Sequence, residues 1–79
     1  MGMKLEHAID AVITEYGIAH ALNAPFNSAH EGYAVLLEEM DELKEEVWKK
    51  RSIRDINRMR KEAVQVAAMA LRFLTDVES

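Results

Sequence analysis

The fold class that the sequence predicts is all-α, a single domain over residues 1–79 built from three helices, and three observations predict it. Apolar residues recur at three- and four-residue spacing through long windows, the signature of amphipathic helices. Gly and Pro are scarce, with 3 and 1 in 79 residues, so little interrupts those windows. Two serines followed three residues later by an acid, Ser28 with Glu31 and Ser52 with Asp55, mark helix starts between them. Together these signals place helices over about 3–22, 29–50 and 53–77. Short connections and local pairing favour this arrangement over any β alternative.

The first helix carries Leu5, Ile9, Val12, Ile13, Tyr16 and Ala19 on one stripe. It ends before Asn23-Ala24-Pro25, where the proline disfavours helical geometry in the residue before it. In the second, Tyr33, Leu36, Leu37, Met40, Leu43 and Val47 fall on a common face and are expected to be core. The third has Ile56, Met59, Ala63, Val66, Ala67, Ala70, Leu74 and Val77 on its main stripe. From Ala63 to Leu74 only Gln65 and Arg72 are polar, so this helix is apolar around much of its circumference. A helix of that kind is buried on more than one side.

Three helices of one small chain cover such a helix poorly, since a domain of this size buries only about 60% of its unfolded surface. With no cysteine, disulfides and thiolate metal sites are excluded, and the remaining sources of stability are partner subunits or a metal held by oxygen ligands. The short link between the second and third helices predicts an antiparallel hairpin. The uncovered flank of the third predicts self-association, as dimer or tetramer, into an oligomeric helical bundle. No apolar run approaches the roughly 18 residues of a membrane span, so a cytoplasmic protein with no membrane partner is expected. The net charge of −4 argues against nucleic acid as a general partner.

Charge is unevenly distributed. Six carboxylates occupy the nine positions from Glu38 to Glu46, and seven of the ten Lys and Arg lie between Lys49 and Lys61. Glu39, Glu42 and Glu46 form one strip beside the apolar face, while Glu38, Asp41 and Glu45 point further toward solvent. Carboxylates three apart on a helix have Cβ atoms about 5–6 Å apart and can reach a single divalent cation; without one they repel. Glu62 and Gln65, again three apart, border the apolar stripe of the third helix. A hairpin brings these oxygen pairs face to face, a donor set suited to Mg²⁺ or Mn²⁺. A solvated acidic face is the plainer alternative.

Glu38-Glu39-x-x-Glu42, nineteen residues, then Glu62-x-x-Gln65 on an apolar, Ala-rich helix resembles the EExxE…ExxD signature of the MazG-like all-α nucleoside triphosphate pyrophosphohydrolases, over about residues 28–77. The resemblance implies a Mg²⁺-dependent oligomeric hydrolase that cleaves a nucleoside triphosphate between its α and β phosphates, releasing monophosphate and pyrophosphate. It implies metal ligation by Glu39, Glu42 and Glu62, with Glu38 as a further ligand or as the carboxylate that orients the attacking water. Gln65 stands where the pattern has Asp. It can offer one neutral amide oxygen to a metal but no charge, and its alternative role is a buried amide bonded across an interface.

In that reading Arg54, Arg58 and Lys61 are candidates to hold phosphate, and Trp48 or Tyr33 to stack on a base. The alternatives are that the cations complement a helix C-terminus and acidic neighbours, and that the aromatics are core. A di-iron bundle is excluded because no histidine completes a Glu-x-x-His pair: His7, His20 and His30 follow Lys4, Gly17 and Asn27 by three, and are expected at the surface or at caps. A helix-turn-helix is disfavoured by the acidic helix beside the basic cluster. The competing function is a non-catalytic or weakly metal-binding oligomeric protein of the same architecture.

Overall fold

A computed structural model describes residues 2–78. Its order is α1 (Leu5–Leu22), α2 (Ala29–Val47), a 3₁₀ turn (Arg51–Ile53) and α3 (Ile56–Asp76), with no strand among the described residues. The three expected helices are present. α2 starts where expected: Ser28 Oγ accepts from the Glu31 N–H at 3.1 Å. The Glu31 carboxylate reaches back one residue further than a capping box requires, accepting from Asn27 N and Asn27 Nδ2, both at 3.1 Å.

Two boundaries differ from expectation by three residues. α2 stops at Val47 because Lys50 leaves helical geometry, at φ −55° and ψ 140°, and opens the 3₁₀ turn. α3 begins three residues later than expected because Asp55, not Ser52, is its cap. The Asp55 carboxylate accepts from Asn57 N at 2.9 Å and Arg58 N at 3.4 Å.

α3 is the shared partner, with both α1 and α2 packed against it; among the described residues α1 and α2 make no close backbone approach to each other. Gly32, early in α2, meets Phe73, late in α3. A Cβ on Gly32 would stand 2.7 Å from Phe73 Cδ2 and 3.2 Å from Phe26 Cδ2, so the close approach requires glycine. Glu39 and Glu42 of α2 lie beside Glu62 of α3. The small core gathers around Ala19, Phe26, Ala68 and Met69, with Tyr16, Val35, Leu36, Phe73 and Val77 against it.

The expected core faces are only partly buried. On α1, Leu5, Ile9 and Ile13 are exposed and only Ala19 of the stripe is buried. On α2, Leu36, Leu43 and Val47 are half-buried, while Tyr33, Leu37 and Met40 are exposed. On α3, Ile56, Ala63 and Leu74 of the expected stripe are exposed and Met59, Val66, Ala67, Ala70 and Val77 are half-buried, while the most buried residues are Ala68, Met69 and Arg72. A largely polar row of α3 also turns inward: Glu62, Gln65, Met69, Arg72 and Asp76 follow one another at spacings of three and four, all buried or half-buried. The chain exposes 6046 Å², against about 4,900 Å² for a folded monomer of its mass.

Arg72 ties the α1–α2 connection to α3. It is 5% exposed, donates from Nη2 to the Ala24 carbonyl at 3.0 Å, directs Nη1 toward Met69 Sδ at 3.5 Å and lies 4.2 Å over the Phe26 ring. Asp76 answers its charge at 3.7 Å and accepts the Phe26 N–H at 3.2 Å.

Candidate functional site

The inner polar stripe of α3 faces the acidic strip of α2. Oxygen atoms of Glu39, Glu42 and Glu62 lie within 4.8 Å of one another, close enough to share one cation. Glu39 and Glu62 are half-buried and Glu42 is exposed, so the cluster opens on one side to solvent. Glu62 Oε2 is fully buried and has no hydrogen-bond partner. A buried acceptor left unmade costs about 1–3 kcal/mol, more when charged.

The electrostatics follow from that crowding. Burial pushes the Glu39 carboxyl up from 4.5 to about 7, with further contributions from the charge of Glu42, a hydrogen bond shared with Glu42, and the charges of Glu62 and Glu38. Glu62 is also raised, by burial first and then by Glu42; Lys61 partly opposes this and Glu46 adds to it. Two half-buried carboxyls facing a third therefore hold protons that solvated carboxylates would release. A divalent cation would replace those protons with charge that the oxygens can all face.

Gln65 lies one turn along α3 from Glu62, half-buried, and its amide Nε2 donates to Glu15 Oε1 of α1. This bond is within the chain. Glu15 was not anticipated as a site residue. The signal was present, since Glu15 sits between Val12 and Ala19 on the inner face of α1, a carboxylate where an apolar residue belongs.

Beside the cluster, between the splayed α1 and α2 and floored by α3, lies an open cavity of about 450 Å³. Its wall includes Glu15, Asn23, Glu31, Glu39, Gln65 and Arg72. Glu39 is common to the cavity and the carboxylate cluster.

The other expected residues lie differently. Glu38 is exposed and acts on the cluster through its charge on Glu39. Arg54 is exposed and donates from Nη2 to the Lys49 carbonyl at 3.3 Å. Arg58 and Lys61 are exposed, and none of these three cations lines the cavity. Trp48 is 75% exposed beneath Lys44, whose Nζ is 6.0 Å from the ring centre; Tyr33 is exposed as well, so neither aromatic is core. The three histidines are at the surface as expected, and His20 stacks on Tyr16. Among the described residues no helix is long and apolar enough to cross a membrane. Comparisons with protein-family models, with curated proteins and with solved structures gave no match to this chain.

Proposed function

We propose that the chain is a Mg²⁺-dependent nucleoside triphosphate pyrophosphohydrolase of the MazG-like type, converting a nucleoside triphosphate to monophosphate and pyrophosphate. The observation that carries this reading is the convergence of Glu39, Glu42 and Glu62 around a buried Glu62 oxygen that has no partner. All three donors are hard oxygens, the set that Mg²⁺ and Mn²⁺ prefer over softer ligands. When bound, the ion supplies neutralisation of phosphate charge and activation of water for in-line attack. Gln65 offers its amide oxygen to the same ligand set.

The protein's own part is to hold the three carboxylates together against their repulsion and to set the cavity beside them. Glu38 is the residue on the open side of the strip, available to orient a water and take up its proton. Arg54, Arg58, Lys61 and Trp48 are outside the cavity wall of one chain. Their role in holding phosphate or base is proposed for a nucleotide that extends from the cluster toward solvent.

The same reading includes an antiparallel α2–α3 hairpin, supported by the meeting of Gly32 with Phe73 and of Glu42 with Glu62. It also includes a homo-oligomer, dimer or tetramer, working in the cytoplasm. The surface beyond that of a folded monomer, roughly 1,200 Å² by the size relation, is of the order that a stable subunit interface removes. Leu37, Met40 and Leu74 are among the exposed apolar residues that a second copy would cover.

A second reading, a non-catalytic or weakly metal-binding protein of the same architecture, is favoured by one observation: the fourth position of the ligand set is the neutral Gln65, already bonded to Glu15. One assay separates the two. With Mg²⁺ and a panel of nucleoside triphosphates, the wild type should release pyrophosphate and Glu39→Ala should lose at least about a hundredfold of the rate, the scale of removing electrostatic catalysis. No release from any substrate, with the two proteins indistinguishable, would leave the non-catalytic reading standing.

A further inference from the structure

Charge on this molecule is gathered by sign. The fourteen residues from Trp48 to Lys61 hold seven Lys and Arg against one carboxylate, Asp55, while the other sixty-five hold three against thirteen. One segment thus carries six positive charges in excess and the remainder ten negative. That segment is the α2–α3 connection with the first turns of α3, at the N-terminal end of that helix. The α1–α2 connection is fastened near the other end, at Arg72 and Asp76. The two connections therefore stand roughly 25 Å apart along α3.

The α2–α3 connection is closed on itself. Ile53 N donates to the Lys50 carbonyl at 2.9 Å, Arg54 N to the Arg51 carbonyl at 3.4 Å and Arg54 Nη2 to the Lys49 carbonyl at 3.3 Å. Asp55 is turned to the cap of α3, where it accepts from Asn57 N and Arg58 N. Of the carboxylates just before the connection, Glu46 is held by Lys49 and Glu45 lies a turn back along α2. Lys50, Arg51, Arg54, Arg58 and Lys61 are all exposed, and among them stand three large apolar side chains: Trp48 at 75%, Ile53 at 66% and Ile56 at 54% exposure.

We propose that this end of the molecule docks on an anionic phospholipid surface, with Trp48, Ile53 and Ile56 entering the headgroup boundary and Lys50 and Arg51 facing lipid phosphate. Cations around an exposed tryptophan and aliphatic side chains are the pattern of interfacial anchoring: the ring settles at headgroup depth, the aliphatic tips below it, and the negative leaflet attracts each cation. Such contact needs no membrane-spanning helix, and it holds whether or not the chain hydrolyses nucleotides. Nucleic acid fits the same charge less well. Ile53 and Ile56 offer a base neither a stacking ring nor a hydrogen bond, and the turn Arg51–Ile53 is too short to fill a groove. A second copy of this end would set like charge against like, so two such ends repel.

The test uses the full chain and sucrose-loaded vesicles of phosphatidylcholine, with or without about one-third phosphatidylserine, sedimented in about 0.1 M and about 0.5 M salt. Binding should be at least about tenfold tighter with phosphatidylserine at the lower salt and be lost at the higher. Trp48 is the only tryptophan, and its emission should move to shorter wavelength on the anionic vesicles alone. Lys50→Ala with Arg51→Ala should weaken binding about 25-fold, at about fivefold for each cation. Ile53→Ser with Ile56→Ser should weaken it about tenfold and leave its salt dependence unchanged. All four side chains are exposed, and melting curves matching the wild type show that both variants are folded. No binding to the anionic vesicles at the lower salt, or binding without the emission shift, would overturn the proposal. Tighter binding to a single-stranded or duplex oligonucleotide than to the vesicles would also overturn it, and would make this end a nucleic-acid surface. Salt-sensitive self-association without vesicles, abolished by the Lys50 and Arg51 substitutions, would overturn it in favour of an interface between copies.

Discussion

The two halves of α3 handle buried charge in opposite ways. Toward its C-terminus, Arg72 and Asp76 are both nearly fully buried and oppositely charged: Arg72 Nε stands 3.7 Å from Asp76 without a hydrogen bond, Nη2 donates to Ala24 O, the guanidinium covers the Phe26 face, and Asp76 accepts the Phe26 N–H. Toward its N-terminus, Glu62 faces the like charges of Glu39 and Glu42, and one of its oxygens has no hydrogen-bond partner. The first half is finished in charge, with opposite ions side by side, and it fastens the α1–α2 connection. The second is unfinished, and desolvated like charges are kept only where a ligand completes them or a role repays their cost. The contrast within one helix separates charge that serves the fold from charge that serves a site.

Breaking the finished half should have the largest effect. Arg72→Ala removes a buried cation, leaves Asp76 without its partner and opens the space beneath Phe26. A loss of about 3–5 kcal/mol is expected, as for one member of a buried pair. That is much of the 5–15 kcal/mol typical of a whole domain. Urea denaturation measures it, and a loss below about 1 kcal/mol would show that Arg72 is not the fastening.

Relieving the unfinished half should act in the opposite direction. Glu39 has its folded pKa raised from 4.5 to about 7, so between those values the folded state holds more protons than the unfolded one. Stability therefore falls as pH rises through that window, and Glu62, also raised, adds to the fall. The melting temperature of the metal-free protein should be higher at pH 5 than at pH 7.5. Glu39→Gln should flatten the decline and stabilise the protein at pH 8 by on the order of 1–3 kcal/mol. Mg²⁺ or Mn²⁺ should raise the wild-type melting temperature more at pH 8 than at pH 5, where protons compete for the ligand atoms. A melting temperature independent of both pH and metal would mean that the carboxylates do not meet in solution.

The helices and the Ser28 cap were legible in the sequence because they are set by local spacing and side-chain capping. The carboxylate trio was legible for a related reason: Glu39 and Glu42 are one turn apart, and Glu62 follows across a short connection. The inner face of α3 was not. Periodicity reports that a helix has two faces, and an apolar stripe of Ile56, Ala63 and Leu74 is ordinarily the inner one. Here α1 and α2 also close on a polar row, where Gln65 meets Glu15 and Arg72 meets Asp76, while Ile56, Ala63 and Leu74 face outward and the rest of the apolar stripe is half-buried. Glu15 escaped notice because its meeting with Gln65, fifty residues away, depends on how α1 lies across α3.

The smallest effect tests whether the unfinished half is as open as it looks. Lys49 donates to both oxygens of Glu46, at 2.8 and 2.9 Å, and so offsets its charge at that end of α2. The pair is partly exposed, so Lys49→Ala should cost only about 0.2–1 kcal/mol, and less in high salt. It should also leave the Glu46 charge less compensated. Because that charge already raises Glu62, the loss should be greater at pH 8 than at pH 5 and smaller when Mg²⁺ is present. A cost above about 2 kcal/mol, unchanged by salt, would place Lys49 in a buried network like that of Arg72. The acidic end would then be balanced by the chain itself, and its carboxylates would no longer call for a cation.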